Sequence, residues 1–205
     1  MAEFDSRVFL NVPFDNRYRK LLHALVFVIH DCGLEARCAL EEDDGGRVRL
    51  DKIYRIIAEC RYGIHDLSRT ALDRTHRLPR FNMPFELGIF LGVQRYGGPH
   101  QRTKSCVILD KTPYRYQVFC SDIAGQDIRS HGNQVESVIQ GVRNWLRASL
   151  PRSIRVKSAT SLMNRYTDFR RQLPVATRYE GFSVAELTFL DYRTFVDVWV
   201  NENPD

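Results

Sequence analysis

Glu86 is an acidic residue in an otherwise apolar stretch, within the segment FNMPFELGIFLG. Pro84 suits the first turn of a helix, where its missing N–H removes no hydrogen bond. The pattern therefore predicts a helix from about Met83 to Gln94, with Glu86 at its third position. A glutamate there can cap backbone amides and interact with the helix dipole. It can also do chemistry, because an apolar setting makes an unpaired carboxylate a stronger nucleophile once substrate excludes water.

Asp66 supplies a second carboxylate, at the end of the apolar segment YGIHDL. Because ligands bind beyond the carboxyl ends of parallel strands, where the next helix also begins, we expect Asp66 and Glu86 to share one cleft. In the alternative reading, Asp66 closes the turn DLSR with Ser68. Paired carboxylates suit chemistry at a sugar anomeric carbon. One attacks C1′ or stabilises an oxocarbenium-like transition state, and the other orients hydroxyls and assists the leaving base.

These residues need a scaffold, and the sequence alternates strand and helix patterns. Four short apolar segments predict strands: RVFLNVPF, LEARCAL, YGIHDL and SCVILD. Helical stripes lie between them; the first ends near Gly33, a candidate C-cap, and the second carries Ile53, Ile56 and Ile57. This alternation predicts a three-layer α/β fold with a parallel sheet of flavodoxin-like or Rossmann-like type.

The chain divides near Pro151. Residues 1–150 form the predicted α/β domain, and residues 151–205 form a helical C-terminal extension whose expected role is an oligomer or partner contact. Ser158 is a candidate cap of one helix, and Ser183 with Glu186 predicts the start of another. The segment 111–133 shows no period and is interpreted as a lid or a dimer contact.

Composition indicates an ordinary globular protein of 205 residues, with 43% hydrophobic and 27% charged residues. No apolar run is as long as a membrane span, so we expect a cytoplasmic protein. The five cysteines form no C-x-x-C pair and are interpreted as reduced, buried thiols. The histidines show no metal-binding spacing, and we expect neither a metal nor a cofactor.

The basic residues are skewed toward arginine, since only five of the 30 are lysine. Arginine binds phosphate and carboxylate in a bidentate manner, which favours phosphorylated ligands or nucleic acid, although high genomic G+C content enriches arginine without any function. Direct nucleic-acid binding is the weaker hypothesis, because the net charge of +5 is small and no basic helix carries interleaved aromatic residues.

Other residues near the strand ends are candidates for binding a nucleotide. Phe14 and Tyr18 can stack on a base, and Asn11 and Asp15 can contact its edge, although Phe14 also suits the core. The loop LSRTALDRTHRLPR is either a phosphate-binding loop or a solvated surface loop. Its arginines are Arg69, Arg74, Arg77 and Arg80.

The segments VFLNVPFD, DKIYRIIAECRYGIHDLSR and NMPFELGIFLG resemble the nucleoside 2-deoxyribosyltransferase family over about residues 7–112 and, more loosely, TIR domains that cleave NAD. By this resemblance Glu86 is the nucleophile that holds the sugar, and Asp66 helps to bind and protonate the base. The family usually has an aspartate and a Gly-Thr pair just ahead of the glutamate, where this chain has LPRFNMPFELG. Asn82 can replace the missing acid as a partner for a sugar hydroxyl, but the departure favours hydrolysis or a different nucleotide substrate.

The resemblance implies an enzyme that breaks or exchanges the N-glycosidic bond of a nucleotide such as NAD or a deoxynucleotide. It further implies a bacterial antiphage defence setting, a homo-oligomer, and a defence partner bound through the C-terminal helices. The alternative is a non-catalytic nucleotide-sensing or partner-binding module. The expected catalytic residues are Glu86 and Asp66, and the expected substrate-binding residues are Asn11, Pro13, Phe14, Asp15, Tyr18, Ser68, Arg69 and Asn82.

Overall fold

The computed structural model describes residues 3–70 and 80–204 of the chain and contains a sheet of five parallel strands. The strands are β1 (Arg7–Asn11), β2 (Glu35–Arg37), β3 (Tyr62–Asp66), β4 (Ser105–Asp110) and β5 (Ile128–Ser130). Their order across the sheet is β2-β1-β3-β4-β5. This is the flavodoxin-like order, and the predicted fold class is confirmed.

Helices cover both faces of the sheet. They are α1 (Glu3–Ser6), α2 (Arg19–Asp31), α3 (Arg49–Glu59), α4 (Asn82–Tyr96), α5 (Val135–Ser149), α6 (Ala159–Tyr179) and α7 (Phe189–Glu202). Helices α2 and α5 pack on one face and α3 and α4 on the other, while α6 and α7 lie against the outer side of α2. None of the helices in the described part of the chain is long and apolar enough to cross a membrane.

Strand side chains alternate between the two faces, and this alternation decides where the polar residues at the strand ends point. In β1, Leu10 joins the core under α2 and α5, whereas Phe9 joins the core under α3 and α4. In β3, Ile64 lies on the α2/α5 side. Asp66, two residues further, therefore faces α2 and α5, whereas Asn11 and His65 face α3 and α4.

The C-terminal helices share their core with α2. The ring of Phe27 lies 5.3 Å from that of Phe169 on α6 and 5.6 Å from that of Trp199 on α7. At the end of α2, the buried carboxylate of Asp31 binds Arg165 at 2.7 Å and Lys157 at 3.2 Å. Residues 151–205 are thus held by both apolar and ionic contacts with the α/β layers.

Three boundaries differ from the sequence predictions. Strand β5 was not predicted and lies in the segment interpreted as a lid or dimer contact, because three residues are too few to show a period. Helix α7 begins after Thr188, whose capping box with Asp191 replaces the predicted start at Ser183. Helix α4 begins at Asn82, so Glu86 is its fifth residue and lies too far along for the predicted capping position.

Candidate functional site

Glu86 is a buried carboxylate on the inner side of α4, with 6% of its surface exposed. It shares one stripe of the helix with Met83 and Phe90, at spacings of three and four residues. Among the described residues its carboxylate makes no hydrogen bond or ion pair. Burial raises the pKa of Glu86 to about 7, although the positive charge of Arg49 opposes the rise. The group can therefore gain or lose a proton near neutral pH.

The stripe that carries Glu86 faces the ends of β1 and β3. Asn11 Nδ2 donates to the backbone carbonyl of Met83 at 2.8 Å, and the ring centroid of Phe90 lies 4.9 Å from that of His65. Glu86 lies between Met83 and Phe90 on this stripe, so it is on the side of α4 that faces the ends of β1 and β3. The predicted residues Asn11 and Glu86 thus lie on the same face of the sheet, and Asn11 is bonded to the helix that carries Glu86.

The amide of Asn11 has a fixed orientation and a free acceptor. A carbonyl can only accept a hydrogen bond, so the contact with Met83 places Nδ2 on that side, and Nδ2 also lies 3.0 Å from His65 Nδ1. Asn11 Oδ1 is buried and has no partner in the described part of the chain. A buried acceptor without a partner is costly, and a ligand hydroxyl or N–H would satisfy it.

The neutral imidazole of His65 accepts a hydrogen bond from the side-chain amide of Asn11. Burial, assisted by the charge of Lys104, lowers the pKa of His65 to about 3. Its Nδ1 accepts from Asn11, so the single ring proton is on Nε2. His65 Nε2 lacks a partner among the described residues. The imidazole is therefore an uncharged positioning group for the Asn11 amide.

Asp66 is fully buried in a separate polar cluster on the α2/α5 face. Tyr18 O–H donates to Oδ2 at 2.5 Å, the backbone N–H of Ser68 donates to Oδ1 at 2.8 Å, and His131 Nε2 lies 3.1 Å from Oδ2. Burial by itself raises the pKa of Asp66, but the contacts with His131, Ser68 and Tyr18 outweigh it, so the net pKa lies below the usual value. The contact with Ser68 is the turn that the sequence offered as an alternative.

The expectation that Asp66 and Glu86 share one cleft is wrong. Both lie at the carboxyl edge of the sheet, but Asp66 projects toward α2 and α5, whereas Glu86 belongs to α4 on the opposite face. No hydrogen bond within the described ranges joins them, and neither carboxylate is among the groups that shift the pKa of the other. Asp66 is also fully buried, which leaves its carboxylate without the access that direct base protonation requires.

The loop that follows β1 is tied to the loop that follows β3. Asp15 accepts hydrogen bonds from the backbone N–H groups of Arg17 and Tyr18 at 2.9 and 3.1 Å. Its other oxygen lies 3.1 Å from Arg69 Nε. The predicted residues Asp15 and Arg69 are therefore neighbours, but each already neutralises the other.

The remaining predicted residues are dispersed. Pro13 is buried, Phe14 is half-buried against the core of α2 and α7, and Asn82 is exposed as the first residue of α4. Arg80 is exposed as well. Two arginines of the candidate phosphate-binding loop, Arg74 and Arg77, lie outside the described residues.

A cavity of about 590 Å³ opens at the carboxyl edge beside β1. Its walls are the loop that contains Phe14 and Asp15, the first turns of α2, residues of the segment 39–52, and the start of α7. Arg49 lines this cavity and is also the cation whose charge acts on Glu86. The cavity therefore adjoins the Glu86 site.

Sequence patterns missed three residues of this edge: His65, Arg49 and His131. The signal for His65 in the sequence is its alternation with Ile64 along β3, which directs the two side chains to opposite faces of the sheet. His131 follows β5, the strand without a visible period, and precedes Gly132 and Asn133, which both have φ near +60°. The turn formed by these residues directs His131 back toward Asp66.

Comparisons with protein-family models, with curated proteins and with solved structures find no match. The described residues also contain no cluster of three or more histidine, cysteine, aspartate or glutamate side chains arranged to hold a metal ion. The chemistry of the site must therefore be inferred from its own side chains.

Proposed function

We propose that this protein cleaves or transfers the N-glycosidic bond of a nucleotide, with Glu86 as the nucleophile. The observation that carries the proposal is the state of Glu86, a buried carboxyl group without a described partner whose pKa is raised to about 7. Structural carboxylates inside proteins are normally paired or hydrogen-bonded. Displaced pKa values without such pairing are typical of functional sites.

The chemistry follows from the groups above β1 and β3. The ionised Glu86 carboxylate attacks C1′ of the sugar, and the bond between C1′ and the base nitrogen breaks. The base leaves with the bonding electrons and takes a proton from water, unless it is a pyridinium, which leaves neutral without one. Water then hydrolyses the glycosyl ester, or a second base accepts the sugar. Asn11 Oδ1 is available to accept a hydrogen bond from a sugar hydroxyl.

Asp66 has a different role in this proposal from the one that the family resemblance implies. Its buried carboxylate binds Tyr18 and Ser68 and contacts His131, and these residues come from three different connections at the carboxyl edge. We assign Asp66 as a positioning residue that holds the strand ends in place. Proton delivery to the base then falls to water.

A non-catalytic nucleotide-binding module is the second candidate. It is favoured by the separation of the two carboxylates, because Glu86 is then the single acid at the site and lacks the assisting group that glycosidases use. In this case the protein would bind the nucleotide and transmit its presence to a partner.

The biological setting remains part of the proposal. Exposed apolar side chains on α6 and α7 and in their connection, such as Val175, Tyr179, Phe182 and Val198, suit a contact with another protein. They are compatible with the proposed homo-oligomer and with a defence-system partner.

The test measures the release of free base, which is detected by chromatography. Purified protein is incubated with NAD, with nucleosides and with deoxynucleotides, beside the variant Glu86→Gln. The matched control is Glu202→Gln, which removes an exposed carboxylate at the far end of α7. We expect the wild type and the control to release free base, and we expect Glu86→Gln to release none. Release that persists in Glu86→Gln would exclude Glu86 as the nucleophile. Saturable binding without release would favour the binding module.

A further inference from the structure

The cavity beside β1 has an excess of unpaired positive charge. Its carboxylates are already engaged, since Asp15 pairs with Arg69 at 3.1 Å and Asp44 with Arg47 at 3.2 Å. Glu42 is likewise bound by Arg55. Asp43 is the remaining acid, and it is exposed.

Apart from Arg47, the cations that line this cavity form no ion pair with a carboxylate in the described part of the chain. The side chain of Arg49 makes no hydrogen bond there, and the side chain of Arg19 donates only to the backbone carbonyl of Ala185 at 3.2 Å. Lys52 donates to the carbonyl of Glu42 at 2.5 Å. A carbonyl group does not neutralise a positive charge. The three cations Arg19, Arg49 and Lys52 therefore share the cavity with a single acid, Asp43, that has no ion-pair partner among the described residues. Such a site favours an anion, and arginine forks match the geometry of phosphate oxygens.

The C-terminal extension forms part of the wall of this cavity. The cap residue Thr188 and the α7 residues Phe189 and Tyr192 line it, and the ring of Tyr192 stacks on His23 of α2 with a centroid distance of 3.7 Å. Arg19 is tied to Ala185, just ahead of α7. The extension is therefore part of the cavity, and its Ala185 carbonyl fixes the position of the Arg19 guanidinium group.

We propose that this cavity binds the phosphate of a phosphorylated ligand, with Arg49 and Arg19 as the phosphate-binding residues. The identity of the remainder of the ligand, a nucleoside whose sugar reaches Glu86, rests on the proposed function. Arg49 adjoins both regions, so the phosphate and the sugar occupy neighbouring parts of one site. The protein therefore selects nucleotides over unphosphorylated nucleosides.

The experiment measures binding by calorimetry in the Glu86→Gln background, where the ligand is not consumed. The probes are the four 2′-deoxynucleosides and their 5′-monophosphates. The variants are Arg49→Met and Arg19→Met, each added to Glu86→Gln. The matched control is Arg147→Met, since Arg147 is exposed on α5 and lies near the opposite edge of the sheet. Circular dichroism confirms that each variant is folded.

We expect at least one monophosphate to bind about tenfold or more tightly than its nucleoside, a difference typical of a charge-assisted hydrogen bond. Arg49→Met and Arg19→Met should each lower the ratio of monophosphate affinity to nucleoside affinity about tenfold, while the affinity for the nucleoside stays the same. Arg147→Met should change neither affinity. Equal binding of nucleoside and monophosphate, equal loss for both ligands, or no binding of any probe would overturn the proposal. Failure of base release leaves this comparison intact, so the two proposals fail separately.

Discussion

Replacing Glu86 by Gln should change how the stability of the protein depends on pH. A carboxyl group whose pKa is raised in the folded chain binds its proton more tightly there than in the unfolded chain. It therefore destabilises the fold once the pH rises above the unfolded pKa, and the loss is complete above the folded pKa. Gln resembles the protonated carboxyl group and does not titrate.

The magnitude follows from the two pKa values, 4.5 in the unfolded chain and about 7 in the folded one. Each pKa unit corresponds to about 1.36 kcal/mol, so ionisation of Glu86 costs the folded state about 3 kcal/mol at pH 8 and about 1 kcal/mol at pH 5. Relative to the wild type, the free energy of unfolding of Glu86→Gln should therefore be about 2–3 kcal/mol higher at pH 8 than the same comparison gives at pH 5. The cost of burying the Gln amide is the same at both and cancels.

The assay is urea unfolding of both proteins at pH 5 and pH 8, with free energies of unfolding from linear extrapolation. Glu202→Gln again serves as the control and should show no such dependence. Other groups with displaced pKa values, such as His65, titrate equally in all three proteins. A stability difference between Glu86→Gln and wild type that stays constant from pH 5 to pH 8 would show that Glu86 is solvated or paired, and the reasoning about its chemistry would fail.

Three further substitutions test the packing around the site by urea unfolding at pH 7. Tyr18→Phe removes a donor from the buried Asp66 carboxylate and should cost about 1–3 kcal/mol. Gly63→Ala should cost a similar ~1–3 kcal/mol by overpacking, because the added methyl group would lie 2.7 Å from His65 Nε2. Thr188→Ala removes the cap of α7 and should cost about 1 kcal/mol. An unchanged unfolding midpoint in any of these variants would contradict the contact concerned.

The elements of the fold were largely readable from the sequence, because apolar periodicity and end signals are local. SCVILD corresponds to β4, and Gly33 ends α2 with a φ of +74°. Ser158 caps α6 as predicted, with its side chain accepting a hydrogen bond from the backbone N–H of Ser161 at 3.1 Å. Element order and parallel pairing follow from such signals and from the rules of chain crossover.

The direction of the side chains at the strand ends was decided by the tertiary structure. The sequence by itself determined that Asp66 ends a strand, that Glu86 lies in an apolar helix, and that both occupy the carboxyl edge of the sheet. The sequence did not determine which helices cover which face of the sheet. The packing of the helices places Asp66 beneath α2 and α5, and it places Glu86 on the opposite face. Burial and partners depend on residues distant in the chain, such as His131 and Arg49, and no local pattern records those contacts.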